Sequence, residues 1–315
     1  CVLRTAVAAS GALSIVLATM QDMTLRPLAS YSAEWTCLKQ TMVPIAAAPL
    51  ASVAPLGTVH VPKGTFHFAV QGVEIEGDDQ HCVDVQFPWE QEPIREHEHT
   101  MEVGPFYMDK YPVTCANYSR YLSETGFRPT DTYNWLKNWN GDFAKCPDDL
   151  ADRPVTYVSL NEARRYCKWA GGRLPHSWEW QYAAQGTDGR RFPWGNDEDQ
   201  SRFPVLNRGR KNPGPEPVTK YAGVGDSPFG VSDLVGNVWQ YTDEFQDDHT
   251  RAVLLRGSSN YRPTDPSQVV EGGWYFPRAL ELGQHNKFFL MDDRYERAGT
   301  IGFRCLVDAA EIIYM

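Results

Sequence analysis

The sequence contains no Cys-x-x-Cys pair, so its seven cysteines, Cys1, Cys37, Cys82, Cys115, Cys146, Cys167 and Cys305, support neither a zinc ribbon nor a thioredoxin-type redox motif. Their odd number leaves at least one free or paired outside the chain. There is no excess of basic residues: 30 Lys and Arg stand against 40 Asp and Glu, a net charge of -10. Phosphate backbones are bound by clustered Lys and Arg, so nucleic acid is excluded as a partner. There is no long apolar run. Thr5 to Gln21 is uncharged but rich in alanine, too short and too weakly apolar to predict a membrane span. No internal repeat or heptad pattern occurs.

What is present is ordinary globular composition, 42% hydrophobic and 22% charged over 315 residues, with 10 Trp, 15 Tyr and 14 Phe. Beginning at Cys1, the sequence reads as a processed chain or a piece of a longer one. Residues 1–43 alternate small apolar and polar residues and predict a strand-rich tail of an upstream domain; Thr5 to Gln21 reads as two buried strands hinged at Ser10-Gly11, the other reading being a signal-peptide core after Arg4. Residues 44–57, rich in Pro and Ala, read as a linker. A domain over 58–315 follows. Within it, Gly64 to Val70 alternates as a strand, and a helix begins at Thr114 and stops at Gly126. Ser159-Leu160-Asn161-Glu162 is a capping box opening a helix that buries Ala163, Tyr166, Cys167 and Ala170 and ends at Gly171-Gly172. A third helix covers about Ser177 to Gln185. Beyond Arg190, Gly and Pro recur every few residues and predict loops.

Two features carry candidate chemistry. Acidic residues concentrate between Glu74 and Glu102, readable as a solvated face or as cation binding. In Glu96-His97-Glu98-His99, strand alternation puts His97 and His99 on one face. Such a pair can share iron or zinc, with His285 and Asp292 as candidates for a third ligand; the other reading is a pair of exposed polar residues.

Several stretches occur in a fixed order: Met108-Asp109-Lys110-Tyr111-Pro112-Val113-Thr114, Tyr166-Cys167-Lys168-Trp169-Ala170-Gly171-Gly172-Arg173-Leu174-Pro175, Phe192-Pro193-Trp194-Gly195-Asn196, Gly236-Asn237-Val238-Trp239, Leu255-Arg256-Gly257 and Gly302-Phe303-Arg304-Cys305. The set resembles the formylglycine-generating-enzyme family, with its relatives among the sulfoxide synthases, over roughly residues 58 to 310. The resemblance implies an α+β, C-type-lectin-like fold: loop-rich, with small twisted antiparallel sheets and a few short helices. It also implies a Cys167–Cys305 disulfide, and with it an extracellular or periplasmic location.

The family's oxidase needs copper held by two cysteines shortly after the Arg-Gly element, since copper(I) prefers thiolates. Here those places hold Arg262 and Ser267, and no cysteine lies between Cys167 and Cys305. A family calcium site is implied at the carbonyls of Val235, Gly236 and Val238, with Gln240 in place of a Glu. The segment from Tyr261 to Arg297 is longer than the family core needs. Its Arg262, Trp274, Arg278, His285 and Arg294, with Tyr241 and Ser259, are candidate pocket residues; the rival reading is an aromatic mini-core. These observations predict a noncatalytic binding or assembly module for a protein or small-molecule ligand. The alternative is an iron-dependent, sulfoxide-synthase-like oxidoreductase that needs additional domains.

Overall fold

The computed structural model describes residues 11–26, 30, 45, 47–73, 81–141, 143, 145–204, 207–208, 214–244, 252–262, 280–290 and 292–310. The chain divides into two compact units, Cys1–Leu38 and Lys39–Met315. In the first, the expected strands are replaced by helix α1 (Gly11–Leu25), exposed along its length. The reason is local: from Ala12 to Leu25 there is no Gly or Pro, and Ala, Leu, Met and Gln favour a helix over a strand. Among the described residues no helix is long and apolar enough to cross a membrane.

The second unit holds eleven described strands in three sheets. Strands β1 (Thr58–Val61), β4 (Phe106–Asp109) and β11 (Leu306–Asp308) form an antiparallel trio in the order β1-β4-β11. Six strands form the largest sheet: β2 (Gly64–Gly72), β3 (Glu96–Val103), β6 (Trp239–Tyr241), β7 (Ala252–Arg256), β9 (Gln284–Phe289) and β10 (Ile301–Gly302). Their order is β10-β6-β7-β9-β2-β3, with β10–β6 and β2–β9 parallel and the other neighbours antiparallel. A two-residue pair, β5 (Asn207–Arg208) and β8 (Tyr261–Arg262), completes the set.

Local chemistry sets the helices. Thr114 caps α2 (Cys115–Thr125) by accepting from the Asn117 N–H, and Gly126 ends it at φ +66°, a conformation that favours glycine. Ser159 and Glu162 close the capping box on α3 (Leu160–Trp169). α4 (Ser177–Gln185) is buried almost throughout and packs on the six-stranded sheet; the last helix, α5, is Asp293–Glu296. One apolar cluster joins α2 and α3 to Trp135, Trp139 and Phe303. A second lies between α4 and the inward row of β2.

The arginines act as clamps. Arg304, fully buried, directs one N–H to Gln240 Oε1 (2.6 Å) and the other four to the carbonyls of Asp109, Lys110, Ser232 and Asp233 at 2.9 to 3.2 Å. Arg173 bridges Glu179 and Asp308. Next to Arg304, Cys305 is joined to Cys167.

Candidate functional site

Strand β2 shows a strict inward–outward alternation in which Phe66, Phe68, Val70 and Gly72 face the core. It lies between β3 and β9, and the register decides what joins its inward row. Val70 pairs with His97 of β3, and Gly72 pairs with His285 of β9. Both imidazoles are therefore turned inward and are fully buried, although the two residues are far apart in sequence.

Gly72 has a further role. A Cβ built there would lie 1.7 Å from Oδ2 of Asp84, so the glycine leaves the space into which this carboxylate is inserted. Asp84 arrives from the excursion between β2 and β3, which is tied down by Cys82 N–H to Pro93 O (2.8 Å) and Gly72 N–H to Arg95 O (2.9 Å). Its Oδ2 lies 2.8 Å from His285 Nε2 and 3.6 Å from His97 Nε2. On the far side of His97, Nδ1 bonds Glu90 Oε1 (2.8 Å), and the other Glu90 oxygen accepts from the Phe87 N–H (2.8 Å). Lys287 donates to the Asp84 main-chain carbonyl (2.9 Å). Phe87 presents its ring edge-on to His97 at 4.8 Å and stacks on Trp89 at 4.9 Å, walling the cluster with aromatic surface.

Burial would raise the Asp84 carboxyl, but the two imidazoles outweigh it and hold it well below the usual carboxylate range. Burial would lower His97, but the nearby Asp84 carboxylate and the bond to Glu90 prevail and raise it. His285 is lowered, because its complete burial outweighs the attraction of Asp84. Among the described residues, Asp84, His97 and His285 form a group whose ligand atoms lie within 4.8 Å of one another, close enough to share a metal ion.

The other residues singled out by the sequence lie elsewhere. His99 pairs with Phe68 in the same inward row but stacks on the Trp89 ring at 4.5 Å, away from the cluster. Asp292 caps α5 and pairs with Arg294. Arg294 lines a surface cavity with Arg128, Arg165 and Lys168. Tyr241 is buried in the core beside α3, and Ser259 is buried. Trp274, Arg278, Ser267 and the Arg262 side chain lie outside the described residues. Among the described candidates, His285 faces the inner cluster and Arg294 a different surface.

At the implied calcium position, the Gln240 side chain is occupied by the protein's own groups. The Gln240 oxygen accepts from Trp180 Nε1 (3.0 Å) and Arg304 Nε, while its NH2 group points at the carbonyls of Asp233 and Leu234. Gln240 therefore offers no free lone pair to a cation.

A cavity of about 530 Å³ lies along the loop after β7, lined by Asn138, Asn140, Arg153, Tyr157, Asn260 and Tyr261 among others. Backbone strain collects beside it: Leu136 (φ +46°), Asn140 (+55°) and Tyr157 (+59°) are all left-handed without being glycine, and the Leu136 N–H bonds the Tyr157 carbonyl (3.1 Å). Strain of this kind costs roughly 1–3 kcal/mol per residue and gathers at functional sites.

Asp84 and Glu90 were not separable from the surrounding acidic run by composition. A usable signal exists nonetheless: Asp84 interrupts the apolar set Val83, Val85 and Phe87, whereas Glu96, Glu98 and Glu102 occupy the outward positions of β3.

The sulfatase-modifying factor enzyme 1-like domain matches residues 47–309. The formylglycine-generating enzyme of Mycobacterium tuberculosis is 27% identical over 297 residues, covering 75% of this chain and 97% of the relative. The inactive C-alpha-formylglycine-generating enzyme 2 of Bos taurus is 30% identical over 210 residues, covering 53% of this chain and 68% of the relative. The hercynine oxygenase of Mycolicibacterium smegmatis is 28% identical over 207 residues, covering 59% of this chain and 45% of the relative. With the loop-rich fold and the ordered arginine clamps already in place, this match over most of its length means that the chain belongs to the sulfatase-modifying-factor family of formylglycine-generating-enzyme-like domains.

Proposed function

We propose that this chain is a binding module that takes a peptide-like or small-molecule ligand in the Asn140–Tyr157–Asn260 groove and does not oxidise thiols with copper. The observation that carries the reading is the polar groove itself, at whose wall Tyr157 is held left-handed, a costly conformation for a bulky residue. The sequence places Arg262 and Ser267 where the oxidases of the family carry cysteines. The two free thiols among the described residues, Cys115 and Cys146, are buried, and burial pushes the Cys115 thiol up to about 12, which disfavours the thiolate that copper(I) needs. The existence of a relative named as inactive agrees with such a role. The Cys167–Cys305 bond supports an oxidising compartment, extracellular or periplasmic.

The test has two arms. Incubation with copper(I) and a cysteine-containing peptide should give no aldehyde by mass spectrometry. A displayed random-peptide library should yield binders to the wild type that are lost in Asn138→Trp, which fills the groove. Aldehyde formation, or binders indifferent to Asn138→Trp, defeats the reading. An iron-dependent oxidoreductase completed by further domains is the second reading. The buried two-histidine, one-carboxylate cluster and the likeness to hercynine oxygenase favour it.

A further inference from the structure

We propose that Asp84, His97 and His285 are the ligands of a built divalent-metal centre of the iron(II) or zinc(II) class, contained within this chain and separate from the groove. The centre stands whether or not the groove binds a ligand, and it needs no residue from another domain.

The donor set comes first. Two imidazoles and one carboxylate on one side of a metal is an arrangement used by non-haem iron(II), and close variants hold zinc. With bonds of about 2.1 Å, neighbouring ligand atoms stand about 3.0 Å apart in an octahedron and about 3.4 Å apart in a tetrahedron. The Asp84 oxygen lies 2.8 Å from His285 Nε2 and 3.6 Å from His97 Nε2, which brackets both values. Three protein ligands leave at least one coordination position for water or a small ligand.

Unmet hydrogen bonding is the second observation. His97 Nε2 is wholly buried and has no hydrogen-bond partner, yet it is aimed at the Asp84 carboxylate from just beyond bonding distance. His285 Nδ1 is likewise unpartnered. A purely structural network at this depth would satisfy its ring nitrogens, because an unmet buried group costs roughly 1–3 kcal/mol. A metal between the rings and the carboxylate satisfies His97 Nε2 directly.

The surrounding shell is the third. Glu90 holds Nδ1 of His97, which fixes the ring and directs Nε2 inward, as carboxylates behind metal-bound histidines do. Glu90 is itself pinned by the Phe87 N–H. Asp84 and Glu90 bring two carboxyl groups into an aromatic-walled interior, a setting that suits a cation. Finally, Gly72 is the position at which a side chain would occupy the carboxylate's space. A strand glycine opposite a histidine is otherwise a weakness with no compensation.

The experiment uses the full chain purified without added chelator from medium supplemented with iron and zinc salts, and reads bound metal by elemental analysis. About one equivalent of iron or zinc is expected. His285→Ala and Gly72→Ala should each lose it, and Glu90→Gln, which keeps size and shape, should weaken cobalt(II) binding by roughly 10–100-fold in a competition titration. The ligand-field absorption of the cobalt(II) form of the wild type should report mixed nitrogen and oxygen ligands and should change in Glu90→Gln. His67→Ala, an exposed histidine on the outer face of β2, should bind as the wild type does. A wild type that holds only calcium or no metal overturns the proposal, as does metal retained at full stoichiometry in both His285→Ala and Gly72→Ala. If those two variants do not fold, the Glu90→Gln affinity and spectrum decide: unchanged values reduce the cluster to a buried hydrogen-bond network.

Discussion

Two buried polar clusters in one unit answer the same physical problem in opposite ways. At Arg304, five guanidinium N–H groups meet five acceptors, and the cation that gathers the loop carbonyls is part of the chain. At Asp84, two imidazoles from β3 and β9 converge on one carboxylate from the excursion between β2 and β3, and ring nitrogens remain unmatched. The first cluster is closed and the second is open. Desolvation penalises both, so the difference separates a network that specifies the fold from one shaped for a ligand. Gln240, one of the residues at which the resemblance implied calcium, belongs to the first kind: its oxygen is taken by Trp180 and Arg304.

The contrast is broken most severely by Arg304→Met. The carbonyls of Asp109 and Ser232 would lose their donor in a dry interior, at roughly 1–3 kcal/mol each, while the Gln240 oxygen, Lys110 and Asp233 keep Trp180, Ser232 and Gln240 as second donors. That loss is a large share of the stability of an ordinary domain, about 5–15 kcal/mol. The variant should unfold at a much lower denaturant concentration by circular dichroism. An unchanged midpoint in Arg304→Met would mean that the clamp is ornament and that closure is no guide to structural weight.

Beside the clamp, Cys305 also anchors the bond to Cys167 across a separation of 138 residues. Replacing both with serine should lower stability by about 2–5 kcal/mol, read as a fall in the denaturant midpoint with little change in slope. The open cluster should gain further stability from its ion: removing metal with a chelator should lower stability by about 3 kcal/mol if the ion was present at a hundredfold its dissociation constant. Zinc or iron should restore it, and Gly72→Ala should show no response to either step.

The two regions also differ in how far the amino-acid sequence discloses them. Helix ends were legible because their determinants are neighbours: Thr114 with Asn117, Ser159 with Glu162, and the stops at Gly126 and Gly186. The Cys167–Cys305 pairing followed from family resemblance, not from spacing. Alternation put His97 and His99 on one face of β3, which is how the register has them, but alternation alone does not say which neighbours share that face. Asp84 was hidden in an acidic run because its inward turn depends on Gly72 and on the parallel pairing of β2 with β9, about two hundred residues on. Asp292 was a reasonable acid to consider, yet it spends itself on a helix cap and on Arg294. The opening segment misled for the opposite reason: its short alternation of small residues also fits a helix, and helix propensity decided α1.

The finest distinction concerns how each cluster treats its carboxylic acid. The imidazoles keep Asp84 ionised, whereas burial pushes Asp233, whose carbonyl accepts from Arg304, up to about 7. The Asn237 amide bond (2.8 Å) and the Arg304 charge draw it down again only in part, since that guanidinium is already committed to carbonyls. A carboxyl raised on folding binds its proton more tightly in the native state, so its contribution is full below pH 4 and is lost as pH rises toward 7. Asp109, raised to about 6 by burial, adds to the same slope. Asp233→Asn removes one of these two titrations, keeps an acceptor for Asn237, and suits the left-handed φ of +53°. The variant should match the wild type near pH 4 and exceed it near pH 8 by about 4 kcal/mol, a melting-temperature gain on the order of 10 °C. Equal pH slopes in the two proteins would show that the closed cluster holds its acid ionised after all, erasing the difference in charge between the two regions while leaving the difference in hydrogen bonding intact.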